Sequence, residues 1–519
     1  MIIKLFHLPI LILFTSILLN ISNGHSFTGL LIHASLQTAL IWGLLASFNG
    51  NILLRIILAI IIVIELFTRT AYGVSLSLSM VMSLFEATTE EIYSTIKFNL
   101  YPCLLSLIFV SGMLFFKAGK RNTFSLYMLI TGLVYLSLPL LINSPNFLSS
   151  QKFDDYLKTG LARGYSKSYT SVEFLIREDL GSRYPSLNSL IGITDALILL
   201  SLQTNLDSSW TNVNANDSSP KILVLGIGES LRAENMSLYG YNRETTPYLS
   251  KRQQNITVYE KAFAAGTNTW SALPAALTKV SGTPDLSKSI INLAKDAGYT
   301  TFWFSNHARF SKWDFSVSSI AAQANNVHFI SQEKAGIRYD ASLVPILEDI
   351  LASKVNEEKL FIVLHFYGSH MSFEDRYPSE FAYFNGTNIT LDSYDNSILY
   401  TDFVQNQVLQ TVKKYGGEYL FFADHGLGDP NGAIPLKHDV RDKPSLSSIR
   451  VPFFTSPNSS LILNRKKAHS LYYFECIFAL WSRISAAELE MDDYCSEALD
   501  KQEITFVDAN LILQQKQTN

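Results

Sequence analysis

Hydrophobic positions along the chain follow two regimes. Up to about residue 145 they form long apolar runs; from residue 221 they form short runs separated by amphipathic stretches. Five early runs have the length and composition of membrane-spanning helices, at about 4–22, 27–48, 51–68, 99–116 and 124–142. The first also has the outline of a signal peptide. Its apolar run is long, however, and no small-x-small cleavage site follows, so it is read as a helix. The link between the fourth and fifth runs, KAGKRN, carries Lys117, Lys120 and Arg121. A basic loop stays in the cytoplasm, which places the N-terminus inside and everything after residue 143 outside. The stretch 75–98 is only moderately apolar and holds Glu86, Glu90 and Glu91, the pattern of an amphipathic helix on a membrane surface. Residues 146–220 read as a connector, ending in the polar linker NLDSSWTNVNANDSSP.

After residue 221 the runs KILVLGIG, TTFWFS, KLFIVLHF and EYLFFADHG have the length and β-branched or aromatic content of strands. Helix-like stretches such as LSKSIINLAKDAG and SLVPILEDILASKV lie between them. Alternation of this kind predicts an α/β domain over 221–519 around a mostly parallel sheet. Ligand sites in such sheets lie outside the carboxyl ends of the strands, so the residues that follow each strand carry the chemistry.

Composition changes the picture little. The chain has 519 residues, 48% of them hydrophobic and 17% charged, with mean hydropathy +0.15, in keeping with a membrane half and a soluble half. A net charge of −4 argues against nucleic acid as a partner. Of three cysteines, Cys103 sits in an apolar run as a packing residue. Cys476 and Cys495 either pair, if their domain faces an oxidising compartment, or stay as two buried thiols.

The strand ends are more informative. Glu229 and Ser230 follow the first strand, and a bare carboxylate there costs desolvation energy unless something neutralises it. GTNTWSALP places Thr267 and Thr269 just before an apolar helical run, where Thr269 reads either as a helix cap or as a nucleophile. His365 lies inside a strand, as core histidines do, whereas His370 in GSH lies on a loop. Asp424 and His425 end the fourth strand, with His438 and Asp439 soon after. Glu229, Asp424 and His425 suit zinc or manganese, and a hydroxyl beside the same cation loses its proton more easily. GIG alone is a weak dinucleotide signal, because no third glycine follows at the right spacing.

The set GESLRAENMSLYGYNRETTPYL, AAGTNTWSALP, HFYGSH…RYP and ADHG closely resembles the phosphoethanolamine transferases of Gram-negative envelopes, members of the alkaline phosphatase/sulfatase superfamily. The resemblance covers the soluble half to about residue 455, and the five-helix membrane half suits it. It implies a sulfatase-like domain in the periplasm, anchored by a multi-pass domain in the inner membrane. It implies that Glu229, Thr269, Asp424 and His425 bind one zinc ion, with room for a second, and that Thr269 is the nucleophile. His370 and His438 then line the site and handle the phosphoryl group, and Asn306 in WFSNH contacts the donor headgroup. Ser230 only hydrogen-bonds beside a ligand.

The family also places an Asn-, Thr- and Glu-bearing helix after its third span. Glu91 matches that Glu, while Ser83 and Ala87 stand at the other two positions. KHD replaces the more usual LHG around His438. Relatives that modify lipid A carry several disulfides around the site, whereas no cysteine lies near Thr269. The implied acceptor is therefore the lipopolysaccharide core or another envelope glycan, with lipid A as the alternative. The implied reaction moves phosphoethanolamine from phosphatidylethanolamine to Thr269, releasing diacylglycerol, and then to the acceptor, in a monomeric enzyme. A phosphoglycerol transferase is the nearest rival. A formylglycine sulfatase needs Cys or Ser where Thr269 stands, and a non-catalytic domain would have lost one of the four ligands.

Overall fold

The computed structural model describes residues 7–517 apart from 22–26, 79, 83–88, 116–120, 151–152, 154–166, 177–185, 202–205, 252–255, 308–316, 331–338, 355–358, 442 and 502. The chain forms two compact units. One comprises Met1–Val81 with Thr95–Ser201, and the other Met82–Ser94 with Leu202–Asn519.

The first unit is helical. It contains α1 (His7–Ile21), α2 (Phe27–Ser47), α3 (Ile52–Tyr72), the C-terminal part of α4 (Thr89–Phe98), α5 (Leu100–Phe115), α6 (Thr123–Leu148), α7 (Lys167–Leu175) and α8 (Ser186–Ser201). Five of these coincide with the five apolar runs. Leu8, Ile12, Leu19, Leu45, Ala59, Ile62, Leu66, Phe109 and Met113 from α1, α2, α3 and α5 form one buried cluster. Among the described residues, the stretch Leu30–Ser47 in α2 is the one helix both long and apolar enough to cross a membrane. The helix α3 falls short because it carries Arg55, Glu65 and Arg69. Glu65 is fully buried, where it pairs with Arg69 and accepts hydrogen bonds from Ser75 Oγ (2.7 Å) and from Ser189 of α8. A charge without those partners would be costly to bury.

Within the expected surface helix over 75–98, Leu78, residues 80–82 and α4, which includes Glu91, are helical. Ser83, Glu86 and Ala87 lie outside the described residues, as do Lys117 and Lys120 of the basic loop.

The second unit is built on a seven-stranded sheet. Its strands are β1 (Ile222–Gly228), β2 (Thr257–Val258), β3 (Thr300–Ser305), β4 (Asn326–Phe329), β5 (Leu360–His365), β6 (Glu418–Ala423) and β7 (Phe453–Thr455), in the order β2-β7-β6-β1-β5-β3-β4. The five strands from β6 to β4 are parallel; β7 and β2 extend the edge in antiparallel pairings. The four strands read from sequence are β1, β3, β5 and β6, and β1 lies at their centre, in register with β6 and β5 on either side. Every position of β1 is buried, because helices and loops cover both faces. Each of Ile222, Leu223, Val224, Leu225 and Ile227 thereby contributes about 1.5–3 kcal/mol by leaving water.

The helices relevant to the site are α9 (Thr269–Leu277), α10 (Ile290–Asp296), α11 (Leu343–Lys354) and α12 (Ile389–Lys414). One expected helix is shorter than its pattern. In LSKSIINLAKDAG only Ile290–Asp296 is helical, and the residues before it belong to the hairpin Thr278–Ser281/Thr283–Ser289. Gly282 (φ 81°) turns that hairpin, and Ser289 ends it by accepting the Asn292 N–H at 3.1 Å, which starts the helix. Near the C-terminus α13 (Phe474–Ser482) and α14 (Tyr494–Asp500) are joined by the disulfide Cys476–Cys495, with a Cα–Cα distance of 5.3 Å. This decides between the two alternatives the cysteines left open.

Candidate active site

Parallel strands deliver their ends to one edge, and there the polar residues collect. Glu229 follows β1 and is fully buried. Ser230 next to it has φ 56°, a left-handed turn that swings the chain out of the sheet. Its Oγ donates to Glu229 Oε1 at 2.6 Å, so it orients the carboxylate, as the motif comparison implied.

Thr269 is the first residue of α9. The cap is Asn268, whose side chain accepts the Ser271 N–H at 3.0 Å. Thr269 is therefore free of capping duty. Its Oγ1 donates to Glu229 Oε2 at 2.8 Å and lies 3.4 Å from His425 Nε2.

Asp424 follows β6. Its Oδ1 accepts the N–H groups of His425 (2.7 Å) and Ser230 (3.1 Å). Its Oδ2 is buried, has no hydrogen-bond partner among the described residues, and sits 3.4 Å from His425 Nε2. The Gly426 carbonyl accepts the Nδ1–H of His425 at 2.6 Å, which turns Nε2 into the site, 3.3 Å from Glu229 Oε1.

These four residues fit a metal ion. Ligand atoms about 2.1 Å from a tetrahedral ion lie about 3.4 Å from one another. The separations here run from 2.8 to 3.4 Å, among two carboxylates, one imidazole and one hydroxyl. The electrostatics ask for a cation as well. Burial raises the Asp424 carboxyl well above its usual range, and the neighbouring charge of Glu229 raises it further. Burial opposes the Glu229 charge too, but His425, with His370 and His307 beyond it, holds that carboxyl well below the usual range. Burial lowers His425, yet Asp424 and Glu229 outweigh it and draw the ring up to about 9. Two carboxylates thus compete for one positive charge, which a zinc-sized ion supplies better than a proton.

The remaining expected residues lie around this centre. His438 sets its ring edge-on to His425, with centroids 4.8 Å apart, and a ligand atom of His438 falls within 4.8 Å of one from Glu229 and from His425. Burial, then the facing His425, push His438 down to about 3. His370 stacks on Tyr367 at 5.1 Å. Asn306 follows β3, with its backbone N–H on the His365 carbonyl at 2.9 Å and its Nδ2 on Asp340 at 2.8 Å. Glu91 belongs to α4, and Ser83 lies outside the described residues.

Three groups at the site were not expected. His307 and His365 come within 4.8 Å of each other and of Glu229 through potential ligand atoms. Their rings are stacked, however, 4.1 Å apart and 12° from parallel. Lone pairs lie in the ring plane, so two near-parallel rings cannot both aim at one ion, and this arrangement does not make a second metal centre. His365 is the buried strand histidine that its position suggested, yet it forms part of the wall of the site. His307 could have been read from its place directly after Asn306 at a strand end. The third is Tyr394 on α12. Its hydroxyl donates to the Ser230 carbonyl at 2.8 Å and accepts the Arg232 N–H at 2.9 Å, bracing the turn that holds Glu229.

Residues 221–470 match the sulfatase family model. The putative transferase YhbX of Escherichia coli K12 is 34% identical over 253 residues, 47% of this chain and 45% of YhbX, so the chain spans about half the length of that relative. The phosphoethanolamine transferase EptC of the same organism is 26% identical over 418 residues, covering 74% of this chain and 69% of EptC. Its C-terminal periplasmic domain, solved with zinc, superposes on 59% of this chain and 94% of that domain at TM-score 0.52 and 23% identity. The integral membrane lipooligosaccharide phosphoethanolamine transferase A of Neisseria meningitidis shares the fold over 92% of this chain and 95% of its own, at TM-score 0.64 and 18% identity. Residues 221–470 thus carry the sulfatase family's sequence pattern, in a chain among whose relatives are proteins named phosphoethanolamine transferase.

Proposed function

We propose that this protein transfers phosphoethanolamine from phosphatidylethanolamine to an envelope glycolipid, the lipopolysaccharide core or lipid A, by way of phosphoethanolamine-Thr269. The observation behind this is the Thr269 hydroxyl, held 2.8 Å from Glu229 and 3.4 Å from His425 in a ligand set with Asp424. The names of the relatives supply the transferred group. A zinc ion bound by Glu229, Thr269, Asp424 and His425 supplies positive charge that favours the ionised hydroxyl and offsets charge on the phosphoryl oxygens.

Thr269 Oγ attacks phosphorus, the bond from phosphorus to the glycerol oxygen breaks, and diacylglycerol leaves with a proton. An acceptor hydroxyl then attacks the phosphorus of phosphoethanolamine-Thr269 and gives its proton to an imidazole, while the bond from phosphorus to Thr269 Oγ breaks and Thr269 Oγ takes that proton back. His438, held neutral by burial and by His425, suits that role, with His370, stacked on Tyr367, as the alternative base. Asn306 contacts the ethanolamine headgroup, with Glu91 and Ser83 as further donor contacts. A lipid donor explains the apolar half of the chain, which we read as five spans of the bacterial inner membrane carrying the catalytic domain on the periplasmic face. The proposed enzyme acts as a monomer.

Intact-mass spectrometry of the full-length protein, incubated with phosphatidylethanolamine, tests the reading directly. A gain of one phosphoethanolamine unit is expected, absent with chelator and absent in Thr269→Ala. No gain with zinc-loaded protein refutes the donor, and a glycerol phosphate adduct from phosphatidylglycerol would name the rival.

A further inference from the structure

Asp340 lies in none of the motifs, yet it ties the site together. It is 5% exposed, on the short turn Asp340–Ser342 that leads into α11. Its Oδ1 accepts Asn306 Nδ2 and the Tyr367 N–H, both at 2.8 Å, and its Oδ2 accepts the Gly368 N–H at 2.8 Å. One carboxylate thus joins the end of β3 to the loop after β5.

That loop has little freedom elsewhere. Gly368 sits at φ 50°, and a Cβ there would meet the Glu229 carbonyl oxygen at 2.7 Å. Ser369 donates its N–H to the same carbonyl at 3.0 Å. His370 follows at once, so Asp340 fixes the start of the segment that carries it against the backbone of a metal-ligand residue.

The bond to Asn306 has a chemical consequence. An amide presents a donor edge and an acceptor edge. A carboxylate accepts only, so Asp340 engages the NH2 edge and assigns the carbonyl edge of Asn306 to whatever else it meets. A carbonyl oxygen attracts an ammonium and is indifferent or repulsive to another acceptor.

We propose that Asp340 is a positioning residue that sets the headgroup preference of this site, by locking the Asn306 amide in its acceptor orientation and the His370 loop against Glu229. The inference rests on the donor reading above for the identity of the headgroup. The positioning itself does not depend on that identity.

A double-mutant cycle on the full-length, zinc-loaded protein tests it. The rate of Thr269 labelling is measured against donor concentration for Asp340→Asn, Asn306→Ala and the double variant, with phosphatidylethanolamine and phosphatidylglycerol as parallel donors. Asp340→Asn is close in shape, and zinc content and Tm serve as controls for folding. We expect Asp340→Asn to raise the half-saturating concentration of phosphatidylethanolamine about tenfold or more, the scale of one or two hydrogen bonds to a charged acceptor. Zinc content stays at the wild-type level, and discrimination against phosphatidylglycerol narrows. The double variant should cost no more than the worse single one, because both act through one contact. Wild-type kinetics in Asp340→Asn, or costs that multiply in the double variant, overturn the proposal. If the wild type labels from phosphatidylglycerol alone, the donor reading fails, and the same cycle on that donor still decides the role of Asp340. If neither lipid labels it, the cycle is read on hydrolysis of bis(p-nitrophenyl) phosphate, where unchanged kcat and KM in Asp340→Asn overturn the positioning role.

Discussion

At the scale of single residues, the site depends on backbone that has no room to move. Gly368 shows this most clearly. A methyl group at that position would stand 2.7 Å from Glu229 O and 2.9 Å from Glu229 N, and its φ of 50° is costly for any residue with a Cβ. Gly368→Ala should destabilise the fold by about 1–3 kcal/mol. It should also weaken zinc binding more than a variant of equal stability cost elsewhere, because the only way to relieve the clash is to shift Glu229. Competition with a chromogenic chelator measures the affinity, and unchanged zinc binding would sever this link. The sequence displayed Glu229, Asp424 and His425 as candidate ligands because they follow strands, whereas Thr269, at a helix start, took its role from the family resemblance. It did not display Asp340 or Tyr394, which act through hydrogen bonds to distant backbone. The Asp340 side chain turns to the backbone of Tyr367 and Gly368.

At the scale of elements, period and composition identified the four principal strands, while edges and turns needed neighbours. The strands β2, β4 and β7 are two to four residues long, too short for a periodic signal, and exist because β7, β3 and β6 respectively offer them an edge. The pairing of α13 with α14 is another such case, and it encloses a group whose titration can be followed. Glu475 on α13 is fully buried beside the disulfide, its Oε1 accepting the Tyr494 hydroxyl at 2.6 Å. Burial pushes its carboxyl from 4.5 up to about 7, against the pull of Tyr494 and Lys279. The folded state therefore holds a proton that the unfolded chain releases near pH 4.5. The contribution to stability is complete below that pH and is lost as pH rises to about 7, to the extent of about 3 kcal/mol. Glu475→Gln keeps the acceptor for Tyr494 and removes the charge. Its Tm should exceed that of the wild type at pH 8 and match it near pH 4.5, and parallel Tm curves for the two would refute the assignment.

At the scale of the whole molecule, two compact units share one chain. The helical unit buries Glu65 with Arg69, Ser75 and Ser189, while the sheet unit gathers its charges at one strand edge. A metal bound only by the folded state stabilises it by mass action, by about 4 kcal/mol when free zinc stands at 1,000 times Kd. Chelation should accordingly lower the unfolding temperature of the full chain. Thr269→Ala should retain most of that shift, since Glu229, Asp424 and His425 remain. A chelator-insensitive melting curve would show that these carboxylates are neutralised by protons alone.

The amino-acid sequence by itself determined the division into a part with long apolar runs and a part with short ones, the parallel core of the sheet, and the places of Glu229, Asp424 and His425 at strand ends and of Thr269 at a helix start. These follow from local pattern: hydrophobic length, alternation of short runs with helices, and polar residues at strand ends. Tertiary structure alone decided the rest. It paired Cys476 with Cys495, made Asn268 rather than Thr269 the cap of α9, stacked His307 on His365, and brought Asp340 to Asn306 and the His370 loop. Each of those contacts joins residues through the approach of separate elements or the choice between neighbouring side chains. Hydropathy along a chain records which residues leave water, and not which partners they meet when they do.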